Sequence, residues 1–222
     1  MPESQPPTLE MLWEAHEPHE VLERRFGFED AASAGAWVVA TVREYWDTRV
    51  DSCERIVISD CNALAWLTTP SGQLLAKWSV APDLFPRLSA VADLTQWLHL
   101  VGLPVSAPRR SSDGRLQVEV AGVSMALQRV IPGELLDVED PDQVRAAGAV
   151  LARLHLALAD YPDTDQIVPS QLHPDPLAAR ITGWLGSAGD HVPEAGRRTL
   201  RRLVAEAPAD PLPTQLVHGD FR

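Results

Sequence analysis

Lysine is almost absent from this sequence. Of the 19 basic side chains in 222 residues, 18 are Arg and one is Lys, at Lys77. One reading is a coding bias with a single survivor. The other is a position that needs a compact ammonium, which the planar Arg fork does not replace. Cysteine is scarce as well. Cys53 and Cys61 alone exclude a disulfide framework and a cysteine-built zinc site, and they make a reduced compartment the expectation. No apolar run approaches the ~20 residues of a membrane-spanning helix. The start, MPESQPPTLEMLWEAHEPHE, has neither the basic residues nor the apolar stretch of a signal peptide. A soluble, cytoplasmic protein is expected. Positive charge is outnumbered by 31 acids, giving a net charge of -12. That excludes non-specific binding of nucleic acid and docking on an anionic membrane, both of which need clustered Lys and Arg. Half of the net charge lies in residues 1–30, where eight acids face only Arg24 and Arg25. The acidity therefore describes that segment and not a cleft elsewhere.

What is present is an ordinary globular composition, 45% apolar and 23% charged. The length fits one large or two small domains. Thr8 is a helix cap ahead of Met11, Leu12 and Trp13, which predicts a helix over 8–25 interrupted near Pro18. Trp37, Val38, Thr41, Val42 and Tyr45 fall on one face of a second helix, Ala31 to Tyr45. The period then shortens. ERIVIS (54–59), ALAWLTT (63–69) and QLLAKWS (73–79) read as a meander, with turns at Ser59–Asn62 and Pro70-Ser71-Gly72 and with Lys77 on its third strand. Leu84 to Val101 is helical and closed by Gly102. Ser112-Asp113-Gly114 reads as a hairpin turn between a preceding strand and LQVEV (116–120), and VSMALQRVI (123–131) is the last strand before Pro132-Gly133. After that point helices dominate: one capped by Asp140 with Pro141 in its first turn, then 177–185 and 193–204. The stretch from Tyr161 to Pro176 reads as a loop, and Gln215-Leu216-Val217 as a short strand before His218-Gly219-Asp220.

Strands segregated from helices predict an α+β, bilobal protein: an N-lobe with a five-stranded antiparallel sheet and one helix, and a mostly helical C-lobe. The expected divisions are a helical extension over 1–50, the sheet lobe over 51–132, and helices over 133–222. A cleft at the 132–133 junction is the expected site.

The order of these signals resembles the aminoglycoside phosphotransferase and choline kinase-like family, which shares the protein-kinase fold. The resemblance is carried by SDCNALAWLTTPSGQLLAKW, WLHLVGLPVSAP, LQRVIPGELL, VLARLHLAL and LVHGDFR, from Ser59 to the end. It implies ATP- or GTP-dependent phosphorylation of a hydroxyl on a small molecule, with Mg²⁺ as the metal. The other functional class consistent with these residues is a nucleotide-binding regulatory pseudokinase. By the resemblance, Lys77 holds the nucleotide phosphates and Asp93, on the following helix, fixes its ammonium. Asn62 lies in the loop that covers the phosphates. The backbone of Gln128, Arg129, Val130 and Ile131 meets the adenine. Asp220 orients the attacking hydroxyl, with His218 bracing its loop. The family's magnesium ligands, an Asn five residues past this Asp and a later acid, are expected beyond Arg222. The helical lobe is therefore expected to be incomplete and the 222-residue chain inactive.

Overall fold

The computed structural model describes residues 6–167, 177–189, 192–206 and 216–217. Its centre is a six-stranded sheet in the order β1-β2-β3-β4-β6-β5. These strands are β1 (Thr8–Met11), β2 (Ser52–Ile58), β3 (Asn62–Thr69), β4 (Gly72–Ser79), β5 (Val118–Val120) and β6 (Val123–Arg129). Five are antiparallel, as expected, and β1 adds a parallel edge beside β2. Period-two alternation sends Ile56, Ile58, Ala65, Leu67, Ala76 and Trp78 to one face, where they are buried.

That face is covered by α2 (Ala31–Trp46), which lays Ala34, Val38, Val42 and Trp46 on it. The sequence reading of this helix ends one residue short. Its start is fixed by a capping box, in which Ser33 N–H donates to Asp30 and the Ser33 hydroxyl accepts from Asp30 N–H.

The helix expected over 8–25 is not formed as such. Residues 8–11 lie along the free edge of β2, and Leu12 N–H continues the contact by donating to Ile58 O at 2.9 Å. An open edge satisfies backbone groups over a segment too short to make a stable helix. Leu9 and Met11, two apart, pack against the core, whereas Trp13 is exposed. Helix begins only at Pro18, in α1 (Pro18–Val21), which runs into a π-helical turn over Leu22–Phe26 ended by Gly27 at φ +74°. Leu22 and Phe26 carry this turn into the core.

The hairpin expected at Ser112–Gly114 also differs. The segment before it makes only an isolated bridge, Pro108 to Gln128, because proline has no N–H for a ladder. Residues 111–115 close on themselves through Ser111, Asp113 and Arg115. The turn between paired strands is Ala121-Gly122, with φ of +50° and +78°. That is the two-residue geometry whose twist suits a hairpin. Ala is an uncommon residue there, which is why the sequence signal was weak.

Helix α3 (Phe85–Leu100) follows a 3-10 turn at Pro82–Leu84 and crosses the other face of the sheet. Gly102, at φ +86°, closes it by donating to His99 O. The far end of α3 belongs to a second core. There Leu98 and Leu103 pack with Leu154 and Leu158 of α4 (Pro141–Ala159), and Ala90 packs with Tyr161 and Ile167, the latter in the short α5 (Thr164–Ile167). Asp140 caps α4 by accepting from Asp142 and Gln143 N–H. The remaining helices are α6 (Leu177–Ser187) and α7 (Glu194–Ala205), tied together by Arg197 donating to Leu185 O. A sheet with helices following it bears out the α+β reading, and the second core is shared by α3 with α4 and α5. Leu216 packs on the helical core without forming a strand, and Gln215 lies outside the described residues.

Candidate functional site

Strand β4 has two unlike faces. Leu74, Ala76 and Trp78 enter the core, so Lys77 and Ser79 take the opposite side. Directly across from Lys77 are Leu64 on β3 and Ala126 on β6. Two small-to-medium apolar neighbours leave the lysine stem room to extend. Over this face α3 roofs a cavity of about 460 Å³, lined among others by Asn62, Lys77, Ser124, Gln128 and, from the helix, Leu88 and Thr95. The volume is in the range of small-ligand pockets.

Lys77 is exposed at this cavity, yet the surrounding protein removes enough water to lower its pKa. Among the described residues no carboxylate lies within 4.0 Å of it; every ion pair found there uses Arg. The expected pairing with Asp93 is thus not formed. Helix geometry gives the reason. Leu88, Val91, Ala92 and Thr95 face the cavity, and Asp93 lies ~100° around the helix from Ala92. Asp93 and Ser89, one turn apart, instead line a neighbouring hollow of about 420 Å³ with Arg110, Arg115 and Glu119.

The β2–β3 loop sits at the cavity's edge. Ser59 N–H donates to Asn62 O at 2.8 Å, and Cys61 O accepts from Ser79 Oγ at 3.1 Å and from Val80 N–H at 3.0 Å. The loop is therefore tied to the end of the strand that carries Lys77. At the other end of the cavity Gln128 contributes to the lining, while Arg129, Val130 and Ile131 lie beyond it. Val130 N–H donates to Gln73 O at 3.2 Å, and Arg129 O accepts from the Ser106 hydroxyl at 2.6 Å. Those two groups are already engaged, and Ile131 is exposed. His218 and Asp220 lie outside the described residues. The chain approaches them from Leu216, which packs against both helical clusters beside α3.

Lys77, Asn62 and Gln128 are thus brought together, while Asp93, Arg129, Val130 and Ile131 do not line the cavity. The sequence reading missed Ser79, Ser124 and Gln117. Counting by twos from Lys77 reaches Ser79. Gln117, which donates to Ser124 Oγ at 2.9 Å and lines both hollows, was read as part of a strand over 116–120, whereas β5 begins only at Val118. Among the described residues no three His, Cys, Asp or Glu side chains gather to hold a metal ion, so the described part of the site does not fit magnesium by itself. Nor, among them, is any helix long and apolar enough to cross a membrane.

Comparison with known proteins agrees with this geometry. A homoserine kinase of Neisseria meningitidis serogroup B is 33% identical over 102 residues, 46% of this chain and 33% of that protein. A homoserine kinase of Cupriavidus metallidurans is 34% identical over 111 residues, 47% of this chain and 34% of that protein. The aligned stretch spans about a third of these curated relatives. In three dimensions the chain is similar to spectinomycin phosphotransferase, APH(9)-Ia, solved in complex with ADP and spectinomycin. The TM-score is 0.51 at 13% identity, covering 79% of this chain and 59% of that one, which supports a common fold. The model of the phosphotransferase enzyme family (APH) matches residues 62–222, from the Asn62 loop through Lys77 to the end of the sequence. That match covers more than half of the sequence, and the chain belongs to the phosphotransferase enzyme family.

Proposed function

We propose that this chain forms the nucleotide-binding part and the catalytic-loop segment of a kinase that transfers phosphate from ATP, or GTP, to a hydroxyl of a small molecule. The observation that carries the reading is Lys77: the one lysine of the chain, on the open face of the sheet, in a cavity of ligand size and with no acid beside it among the described residues. A partly desolvated ammonium with no acid beside it among the described residues is completed by an anion. Nucleotide phosphates are that anion. In this reading residues 51–132 are the nucleotide lobe, 133–222 carry the catalytic loop, and the protein works in the cytoplasm.

Each residue then has a distinct task. Lys77 holds the phosphates as a point charge. Asn62, at the mouth of the same cavity, contacts them from the loop side. Free backbone groups of 128–131 receive the base. Asp220 accepts the proton of, or orients, the attacking hydroxyl, and His218 braces its loop. Magnesium, when bound, supplies positive charge against the phosphate oxygens. The acceptor is a small alcohol. Homoserine and spectinomycin, from the names of the relatives, head the set to test, with choline and sugars beside them.

The test is a titration with ATP and GTP, followed by a phosphotransfer screen over those acceptors. In the protein at its full natural length, Asp220→Asn is expected to leave nucleotide binding intact and to cut transfer by roughly 10²–10⁴, the usual worth of a positioned base. Failure to bind either nucleotide, or an Asp220→Asn protein that transfers at an undiminished rate, overturns the reading.

A further inference from the structure

The loop at the cavity mouth is held from outside by the N-terminal segment. Arg25 Nη1 donates to both Asp60 O, at 3.2 Å, and Asp60 Oδ1, at 2.8 Å. Asp60 N–H donates to Glu14 Oε1 at 3.0 Å. These partners are 35 and 46 residues away in sequence, so the contacts belong to the tertiary fold and not to the turn. The second Glu14 oxygen is buried with no hydrogen-bond partner among the described residues.

Both residues have fixed origins. Arg25 precedes Phe26, whose buried ring meets Trp78 edge-on at 6.4 Å, and Trp78 is the residue after Lys77. Glu14 follows β1, whose run along β2 ends with Leu12 N–H on Ile58 O. On its inner side the loop hangs on Ser79 Oγ through Cys61 O. The loop and Lys77 are therefore referenced to one frame from two directions.

We propose that Arg25 and Glu14 are positioning residues for the nucleotide: they hold the β2–β3 loop, and Arg25 neutralises Asp60 so that the loop does not repel the phosphates. This rests on the nucleotide reading of the Lys77 cavity. The loop, Ser59-Asp60-Cys61-Asn62, has no glycine and carries its own negative charge. Near a triphosphate an unpaired Asp60 carboxylate opposes binding. An ion pair that turns the carboxylate toward Arg25 removes that opposition and orders the loop before the ligand arrives, which lowers the entropic cost of binding.

The experiment titrates the 222-residue chain with Mg-ATP at low and at physiological salt, with thermal unfolding of each variant as a check on folding. Arg25→Ala is expected to raise the Kd about three- to tenfold, more at low salt, the scale of an exposed pair plus a lost neutraliser. Glu14→Gln raises it about two- to threefold. Adding Asp60→Asn to Arg25→Ala restores most of the affinity, which a merely structural role of Arg25 does not predict. Arg55→Ala is the control. It removes a similarly exposed ion pair, Arg55 to Glu10 at 2.7 Å, between β2 and β1 and away from the loop, and leaves the Kd unchanged. Should Arg25→Ala fail to fold, Arg25→Gln carries the same expectation. If the unaltered chain binds no Mg-ATP, the nucleotide reading itself fails. If it binds and Arg25→Ala matches Arg55→Ala, the positioning role is overturned. An Arg25→Ala protein that binds more tightly also overturns it, since the contacts then hold the loop away from the ligand.

Discussion

Replacing Lys77 with Met separates the cost of the ammonium from its use. Met keeps an unbranched apolar stem against Leu64 and Ala126 and deletes the charge. In the folded protein no ion pair to Lys77 is lost among the described residues, and one partly desolvated charge is relieved. Unfolding free energy at pH 7 should therefore stay within about 0.5 kcal/mol of the parent, as for other surface changes, or rise. Nucleotide affinity should behave differently. A hydrogen bond to a charged group is worth about 1.5–3 kcal/mol. At about 1.4 kcal/mol per decade the Kd for Mg-ATP should rise roughly 10- to 150-fold. The pH dependence follows from the direction of the shift. The folded state holds the Lys77 proton less tightly than the unfolded chain does. Stability of the parent should thus rise with pH between the lowered value and that of an ordinary lysine, and the Met variant should lack that rise. Across the same interval nucleotide affinity should fall as the ammonium is lost. Urea unfolding and calorimetric titration over pH 7–11 read both quantities. An unchanged Kd would refute the phosphate contact. A stability loss well above roughly 1 kcal/mol would show that the ammonium is paired after all.

Three further outcomes are expected. Gly122→Val should destabilise the β5–β6 hairpin by about 1–2 kcal/mol, because φ is +78° there and the cost is backbone strain and not crowding; a thermal scan reads it. Asp140→Ala should weaken α4 by removing the acceptor for Asp142 and Gln143 N–H, and those bonds hold the Asp140 carboxyl below its usual value. The parent's contribution is present above the ordinary carboxylate value and lost as pH falls through the lowered one, so helix content of parent and variant should converge in acid. Cys61 should react with a thiol reagent in the folded protein while Cys53 does not, since Cys53 is buried and its thiol is pushed up to about 11, chiefly by desolvation; mass spectrometry of labelled peptides tests this, and equal labelling would refute it.

The sequence alone determined what depends on local chemistry and period. The β-branched run of β2, the alternation of β3 and β4, the capping of α4 by Asp140, the close of α3 by Gly102 and the lone lysine among arginines all follow from neighbouring residues, and the structure contains each. The order of those pieces was enough to recognise the family. Tertiary structure decided the rest, because the rest depends on partners distant in sequence. Residues 8–11 are a strand only because β2 leaves an edge for them. Ala121 makes the hairpin turn because β6 returns along β5. Asp93, the one acid on the body of α3, faces away from Lys77 because the rotation of the helix is set by Ala90, Leu94 and Leu98 packing on the helical core, where nothing local specifies it. The acids of residues 1–30 read as a feature of that segment and not of a cleft, yet Glu14, with Arg25 of the same segment, reaches the loop at the mouth of the cavity, since the fold lays β1 along β2, the strand that runs into that loop.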